Sequence, residues 1–302
     1  MQSFNSFLKE EMFLSEESEA LMEKLITFGG KAYPKFGNIV VMAGGAGSGK
    51  GFVLSNLVGL EGKVFDVDEL KTLASKTPVI QKRIKDEMGV DLADLASNLK
   101  NPENVGKLHA IMGDYLKLDK RKEKAFYTSI LTAPADRKPN IIFDMTFKEL
   151  RKLEKVARDA EMLGYEKKNI HIVWVVNDIE VAKAQNLKRS RTVPTEILVN
   201  THRGAANTMG DIINMGKELK KYMDGDIVFA FNKVGVDASL AKSDQGGEKI
   251  GMKGKTKGGS YVKDAEYVYV KKQGKEPISV DKLDADVRRK IASYVPKNVD
   301  WN

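Results

Sequence analysis

No cysteine occurs among the 302 residues. Disulfide cross-links, zinc–thiolate sites and thiol nucleophiles are therefore excluded. Histidine is scarce: His109, His171 and His202 are the whole complement, with no paired metal-ligand spacing, so a histidine-based metal centre is not expected. No apolar run approaches the roughly 18 residues that a membrane-spanning helix needs. The first residues carry Lys9, Glu10 and Glu11 where a secretory signal requires an unbroken apolar stretch. The sequence thus reads as that of a cytoplasmic protein with no membrane partner. Acids are in deficit, 42 Asp and Glu against 50 Lys and Arg, for a net charge of +8. That balance suits an acidic partner such as a nucleotide or nucleic acid, although a merely lysine-rich cytosolic protein would share it.

The most informative segment is Gly44-Gly45-Ala46-Gly47-Ser48-Gly49-Lys50-Gly51, placed directly after the apolar run Ile39, Val40, Val41, Met42. This is G-x4-G-K at the end of a buried strand, a phosphate-cradling P-loop. Glycines let the backbone curl until successive N–H groups face phosphate oxygens; the following helix adds its positive end, and Lys50 reaches the outer phosphates. Gly51 stands where Ser or Thr usually offers a hydroxyl to Mg2+, and Phe52 follows. Nucleoside-monophosphate kinases also carry glycine there, so the departure points toward kinases rather than GTPases or motor ATPases. It leaves Mg2+ to phosphate oxygens, water and a carboxylate elsewhere. The expected nucleotide contacts are Gly44, Gly45, Ala46, Gly47, Ser48, Gly49, Lys50, Gly51 and Phe52, with ATP and Mg2+ as the ligands.

Periodicity along the rest of the chain predicts an α/β fold. Residues 1–30 read as polar and helical. Residues 38–43 form the first core strand and a short helix follows the P-loop. Val64 and Phe65 start a second strand that ends at Asp66. Residues 69–130 have helical periodicity punctuated by Pro78 and Pro102, a helical insertion after the second strand. Ile141, Ile142 and Phe143 make a third strand ending in Asp144, residues 147–163 an amphipathic helix, residues 170–176 a buried fourth strand and residues 226–231 a fifth. Strands alternating with helices imply a five-stranded parallel sheet with helices on both faces, and ligands of such sheets sit at the carboxyl ends of the strands. That rule gathers Lys50, Asp66, Asp68 and Asp144 around one crevice. The expected domains are a leader over 1–35, a kinase-like domain over 36–234 and a basic C-terminal β/α appendage over 235–302. Residues 242–275 hold nine lysines against four acids; their first half, rich in Gly and Lys, reads as a mobile loop.

A strand ending in Asp66-Val67-Asp68, with Lys71 three residues on, suits a kinase that deprotonates an alcohol: one carboxylate beside the acceptor hydroxyl takes its proton. Asp68 as the N-cap of a helix through Lys71 is an equal reading of the same residues. Asp144 either holds Mg2+ through water or caps the helix that follows. Residues 181–195 carry Lys183, Lys188, Arg189 and Arg191 and no acid, a cluster suited to the negative charge of phosphoryl transfer.

The order P-loop, D-x-D-x-x-[KR], apolar strand ending in Asp, then a basic segment before Val193-Pro194 resembles the phage polynucleotide kinases and the zeta-toxin kinases over about residues 39–232. The P-loop kinase fold is what this resemblance implies. It also implies that Asp68 is the general base, that Lys71 with Asp66 meets the acceptor, that Asp144 is the metal-linked carboxylate, and that Arg189 and Arg191 close over the phosphate from a lid at about 183–195. Two departures stand out: Gln185 and Asn186 replace a second basic residue of the lid helix, and Lys71 replaces an arginine whose bidentate fork lysine lacks.

The expectation is thus an ATP-dependent kinase acting on a nucleic-acid hydroxyl, a 5′ end or a hydroxymethylated base. The alternatives are a nucleotide-sugar kinase of the zeta-toxin kind and a non-catalytic, capsid-packaged nucleotide-binding protein. Residues 1–10 are similar to the head-targeting leaders of tailed-phage internal proteins, cut after a motif matched by Leu8-Lys9-Glu10; an ordinary amphipathic helix is the competing reading. The location would then be the host cytoplasm or the phage head.

Overall fold

The computed structural model describes residues 36–54, 60, 62–65, 74–188, 192–232, 267–299 and 301, and the backbone of residues 27–28, 31–32, 239–241, 248–249, 252–253 and 261–263. Its centre is a sheet built from runs of β-branched and aromatic residues. The strands are β1 (Ile39–Ala43), β2 (Lys63–Phe65), β3 (Ile141–Asp144), β4 (Ile170–Val176), β5 (Ile227–Phe231) and β6 (Tyr267–Lys271). They lie in the order β6-β5-β4-β1-β3-β2. Each residue of β1, β4 and β5 is buried, as strands covered on both faces must be.

The sheet corrects the expectation of five parallel strands alone: it has six and is mixed. The pairs β1–β3, β1–β4, β2–β3 and β4–β5 are parallel, and β6 joins β5 antiparallel. The reason lies in β5, whose Ile-Val-Phe-Ala-Phe run is apolar on both faces and would be a sticky open edge if unpaired. Alternation in β6 supplies both faces. Val268 and Val270 join the larger core cluster, while Tyr267 and Tyr269 lean on the smaller one. Residues 267–299 and 301, read from sequence as part of an appendage, therefore belong to the central sheet and its core.

Helices follow their sequence signals. After α1 (Lys50–Val53) come α2 (Pro78–Met88), α3 (Leu92–Ser97), α4 (Pro102–Ala110), a π-helical turn over Ile111–Tyr115 and α5 (Leu118–Leu131). Pro78 and Pro102 open their helices, where a missing N–H costs nothing. Asp91 and Asn101 cap α3 and α4 by accepting from backbone N–H groups. These helices between β2 and β3 share a small core around Ile84, Leu92, Leu108 and Met112.

Three further helices, α6 (Arg151–Met162), α8 (Thr195–Asn214) and α9 (Ala285–Tyr294), cover one face of the sheet. Leu153, Val156 and Ala160 of α6, Met209, Ile212 and Ile213 of α8 and Ile291 of α9 meet Ile39, Val41, Phe143 and Phe229 there. Val53 and Leu60 lie with Val40, Met42, Val173 and Val228 on the other face. Between β4 and α8 runs α7 (Ile179–Lys188).

Thr27–Phe28, within the stretch 1–30 that the sequence reads as helical, pairs antiparallel with Lys31–Ala32; the rest of residues 1–35 lies outside the described residues. Among the described residues no helix is long and apolar enough to cross a membrane.

Candidate active site

In the sheet β1 is flanked by β3 and β4, and the chain serves the β3 side first and then crosses to β4. Such a reversal opens a crevice at the carboxyl ends of the strands. The P-loop leaves β1 at this point. Gly47 and Gly49 have φ of 74° and 89°, left-handed values that glycine adopts without strain.

Lys50, the first residue of α1, folds back over the loop. Its Nζ donates to Gly44 O at 3.0 Å and Gly45 O at 3.4 Å. It also lies 3.5 Å from Asp144 Oδ1. Asp144 ends β3, whose Met42↔Asp144 register sets it beside β1. The structure thus brings Lys50 and Asp144 together. It also decides against Asp144 as a helix cap: Leu150 occupies the N-cap of α6, with no side-chain hydrogen bond. Phe52 is half-buried against the Val40–Met42 cluster.

Asp66, Asp68, Lys71, Arg189 and Arg191 lie outside the described residues. Their flanks are described. Phe65 pairs with Phe143, so β2 ends level with the residue before Asp144. On the basic segment, Lys183 pairs with Glu180 at 2.8 Å. Asn186 is buried and holds Val193 by both backbone groups: Nδ2 donates to Val193 O at 2.6 Å and Oδ1 accepts from Val193 N at 2.9 Å. Thr192 N donates to Leu99 O at 3.1 Å, tying the end of this segment to the turn between α3 and α4. Asn186, conspicuous in sequence as a missing cation, is a structural clamp.

Several side chains that the motif does not contain hold the loop. His202 of α8 is bonded through Nε2 to Ala46 O at 2.9 Å, and the neighbouring Thr201 Oγ1 accepts from Ala46 N at 3.1 Å. Asn177, just past β4, donates to Gly47 O at 3.2 Å, and Asn232, just past β5, donates to Ser48 O at 2.8 Å. Burial drives the His202 pKa below its ordinary value; the Ala46 bond opposes this and the Lys50 charge adds to it. The ring is therefore neutral near pH 7, and since Ala46 O only accepts, the hydrogen is on Nε2. Sequence reasoning gave His202 no role at this site. The available signal was slight: a histidine on the buried stripe 198, 201, 202, 205, 209 of the helix after the basic segment.

Among the described residues no group of three or more His, Asp or Glu side chains is placed to hold a metal. Among the described residues Asp144 is the carboxylate beside Lys50; Mg2+ sites in proteins commonly consist of one or two carboxylates completed by phosphates and water.

No protein-family model and no curated protein sequence matches the chain. Solved structures of similar course exist. The AvrRxo1-ORF1:-ORF2 complex with ATP aligns at a TM-score of 0.43 and 11% identity, over 88% of this chain and 66% of that chain. The same complex with sulphate ions gives 0.43 and 12%, over 96% and 73%. A structure of the PezAT chromosomal toxin-antitoxin system of Streptococcus pneumoniae gives 0.34 and 13%, over 77% and 80%. The chain spans just under two-thirds of the AvrRxo1 chain solved with ATP.

Proposed function

We propose that the chain is a P-loop kinase that moves the γ-phosphate of ATP to an alcohol, with a nucleic-acid hydroxyl as the acceptor. The observation that carries this reading is the Lys50 ammonium, held between the Gly44 and Gly45 carbonyls and Asp144 at the carboxyl ends of two adjacent parallel strands. The outer phosphates of a nucleotide on the loop would draw that ammonium from the carbonyls. The acceptor class rests on the net charge of +8, since lysines gain affinity for polynucleotides by neutralising phosphates.

In this reading Asp68 takes the proton of the acceptor hydroxyl as its oxygen bonds to the γ-phosphorus. The bond from that phosphorus to the β–γ bridging oxygen breaks, and ADP leaves. Lys50, Arg189 and Arg191 balance the charge on the transferred group, and Asp66 and Lys71 orient the acceptor. Asp144 would hold Mg2+ through water; bound there, the ion neutralises charge on the β- and γ-phosphates.

Incubation with labelled ATP and a panel of oligonucleotides and nucleotide sugars, read by mass spectrometry, tests the proposal. A phosphorylated oligonucleotide is the expected product. Phosphorylation of a nucleotide sugar alone would replace the acceptor, and turnover unchanged by Lys50→Ala would remove the site. Asp68→Asn should lower turnover by roughly 10²-fold, the usual scale for a lost general base, with ATP affinity kept. A larger loss in Asp66→Asn would move the base to that carboxylate.

A further inference from the structure

Three consecutive carbonyls of the P-loop are held by buried donors from three separate elements. Ala46 O takes its hydrogen bond from His202 on α8, Gly47 O from Asn177 after β4 and Ser48 O from Asn232 after β5. These side chains are 6%, 1% and 1% exposed. Val176 pairs with Phe231, so the two asparagines leave neighbouring strands side by side.

In a trans peptide the C=O and the following N–H point in opposite directions. Anchoring Ala46 O on the buried side therefore turns the Gly47 N–H away from it, and anchoring Ser48 O does the same for the Gly49 N–H. The intervening Ser48 N–H closes a turn on Gly45 O at 3.2 Å. The Ala46 N–H is taken by Thr201, so α8 grips one loop residue at both polar ends. Packing adds to the grip: a Cβ on Gly45 would lie 2.1 Å from His202 Cδ2, and one on Gly49 only 1.9 Å from Asn232 Nδ2. The loop is shaped against these side chains as closely as against its own glycines.

We propose that His202 is a positioning residue for the nucleotide phosphates: by anchoring Ala46 O, in concert with Asn232 on Ser48 O, it sets the Gly47 and Gly49 N–H groups that receive them. This rests on the ATP reading above. Burial and the Lys50 charge hold the ring in its neutral form, which leaves a single ring hydrogen for the single carbonyl.

The test is ATP titration with Mg2+ by calorimetry on the full chain and on His202→Gln and His202→Phe. Glutamine keeps a donor at similar reach, while phenylalanine keeps the ring and loses the donor. Misplacing one N–H that donates to a charged phosphate forfeits about a factor of ten in binding. His202→Phe should therefore bind ATP about tenfold more weakly than wild type, and His202→Gln within about threefold, by the same conversion. Thermal melting accompanies each titration. A second pair of variants does not rely on His202→Phe folding: Gly45→Ala should weaken ATP binding in the wild-type background and much less in His202→Ala, where the ring it strikes is gone. Equal affinities for the glutamine and phenylalanine variants, or an identical Gly45→Ala effect in both backgrounds, overturns the inference while leaving the kinase reading in place. Failure of the wild-type chain to bind ATP overturns both.

Discussion

At the scale of the residue, the site is built from groups whose environments decide their state. His202 is the clearest case. Its folded pKa is held below the ordinary 6.5 mainly by burial, so the unfolded chain accepts a proton that the folded chain resists. The stability tied to its neutral form is complete above 6.5 and is lost as the pH falls through the lower, folded value. Between about pH 7 and about pH 5 the wild-type melting temperature should thus fall more steeply than that of His202→Gln, since carboxylate titration is common to both. Parallel curves would show that the histidine is not buried in its neutral form. None of this is legible in the sequence. Lys50 announces itself because a P-loop packs its chemistry into eight consecutive residues. His202 meets Ala46 across 156 positions and Asn232 meets Ser48 across 184, and no local pattern marks either partner.

Elements divide in the same way. The strands β1, β4 and β5 are legible because each is an almost unbroken apolar run, β2 and β3 because short apolar pairs or triplets lead into Asp66 and Asp144, and the starts of α2 and α4 because Pro78 and Pro102 mark them. The partner of β6 was not legible, since its alternating Tyr-Val pattern fits either a hairpin or a sheet edge; only the open flank of β5 settles it. A buried lysine secures this edge. Lys271 Nζ, at the end of β6, donates to Asp224 Oδ1 and Gly225 O, each at 3.0 Å, and its side chain is fully covered. Removing one member of a buried pair strands the other charge, which costs about 3–5 kcal/mol where that charge stays buried; the Lys271 side chain is fully covered, whereas Asp224 is partly exposed and can turn to water once its partner is gone. Asp224→Ala should accordingly lower the urea midpoint more than Lys271→Met does, with Asp224→Ala near the low end of that range because Gly225 O and, at 3.4 Å, Lys272 O still face the ammonium. The reverse order would mean that β6 is held by its ladder and tyrosines alone.

For the whole molecule, the course of the chain after residue 266 matters most. Trp301 is 1% exposed and packs on Trp174 and Phe229 of the central strands. Trp301→Ala should destabilise the fold by about 3–5 kcal/mol, the usual cost of emptying a buried aromatic site, as followed by far-UV circular dichroism in urea. A change within about 0.5 kcal/mol, the scale of surface substitutions, would return this segment to the status of an appendage. The choice of probe is not incidental. The chain has two tryptophans, and they form a single stack with centroids 5.4 Å apart and planes 29° from parallel. Tryptophan emission from this protein, excited beyond the absorption of its nine tyrosines, therefore has one origin, and the near-ultraviolet absorption of the two indoles is coupled. A trace of that emission will report the docking of the C-terminus onto the sheet and little else. Helices α2 to α5 carry no tryptophan, so their melting would show in far-UV circular dichroism and in the emission of Tyr127 on α5 while leaving the tryptophan signal unchanged.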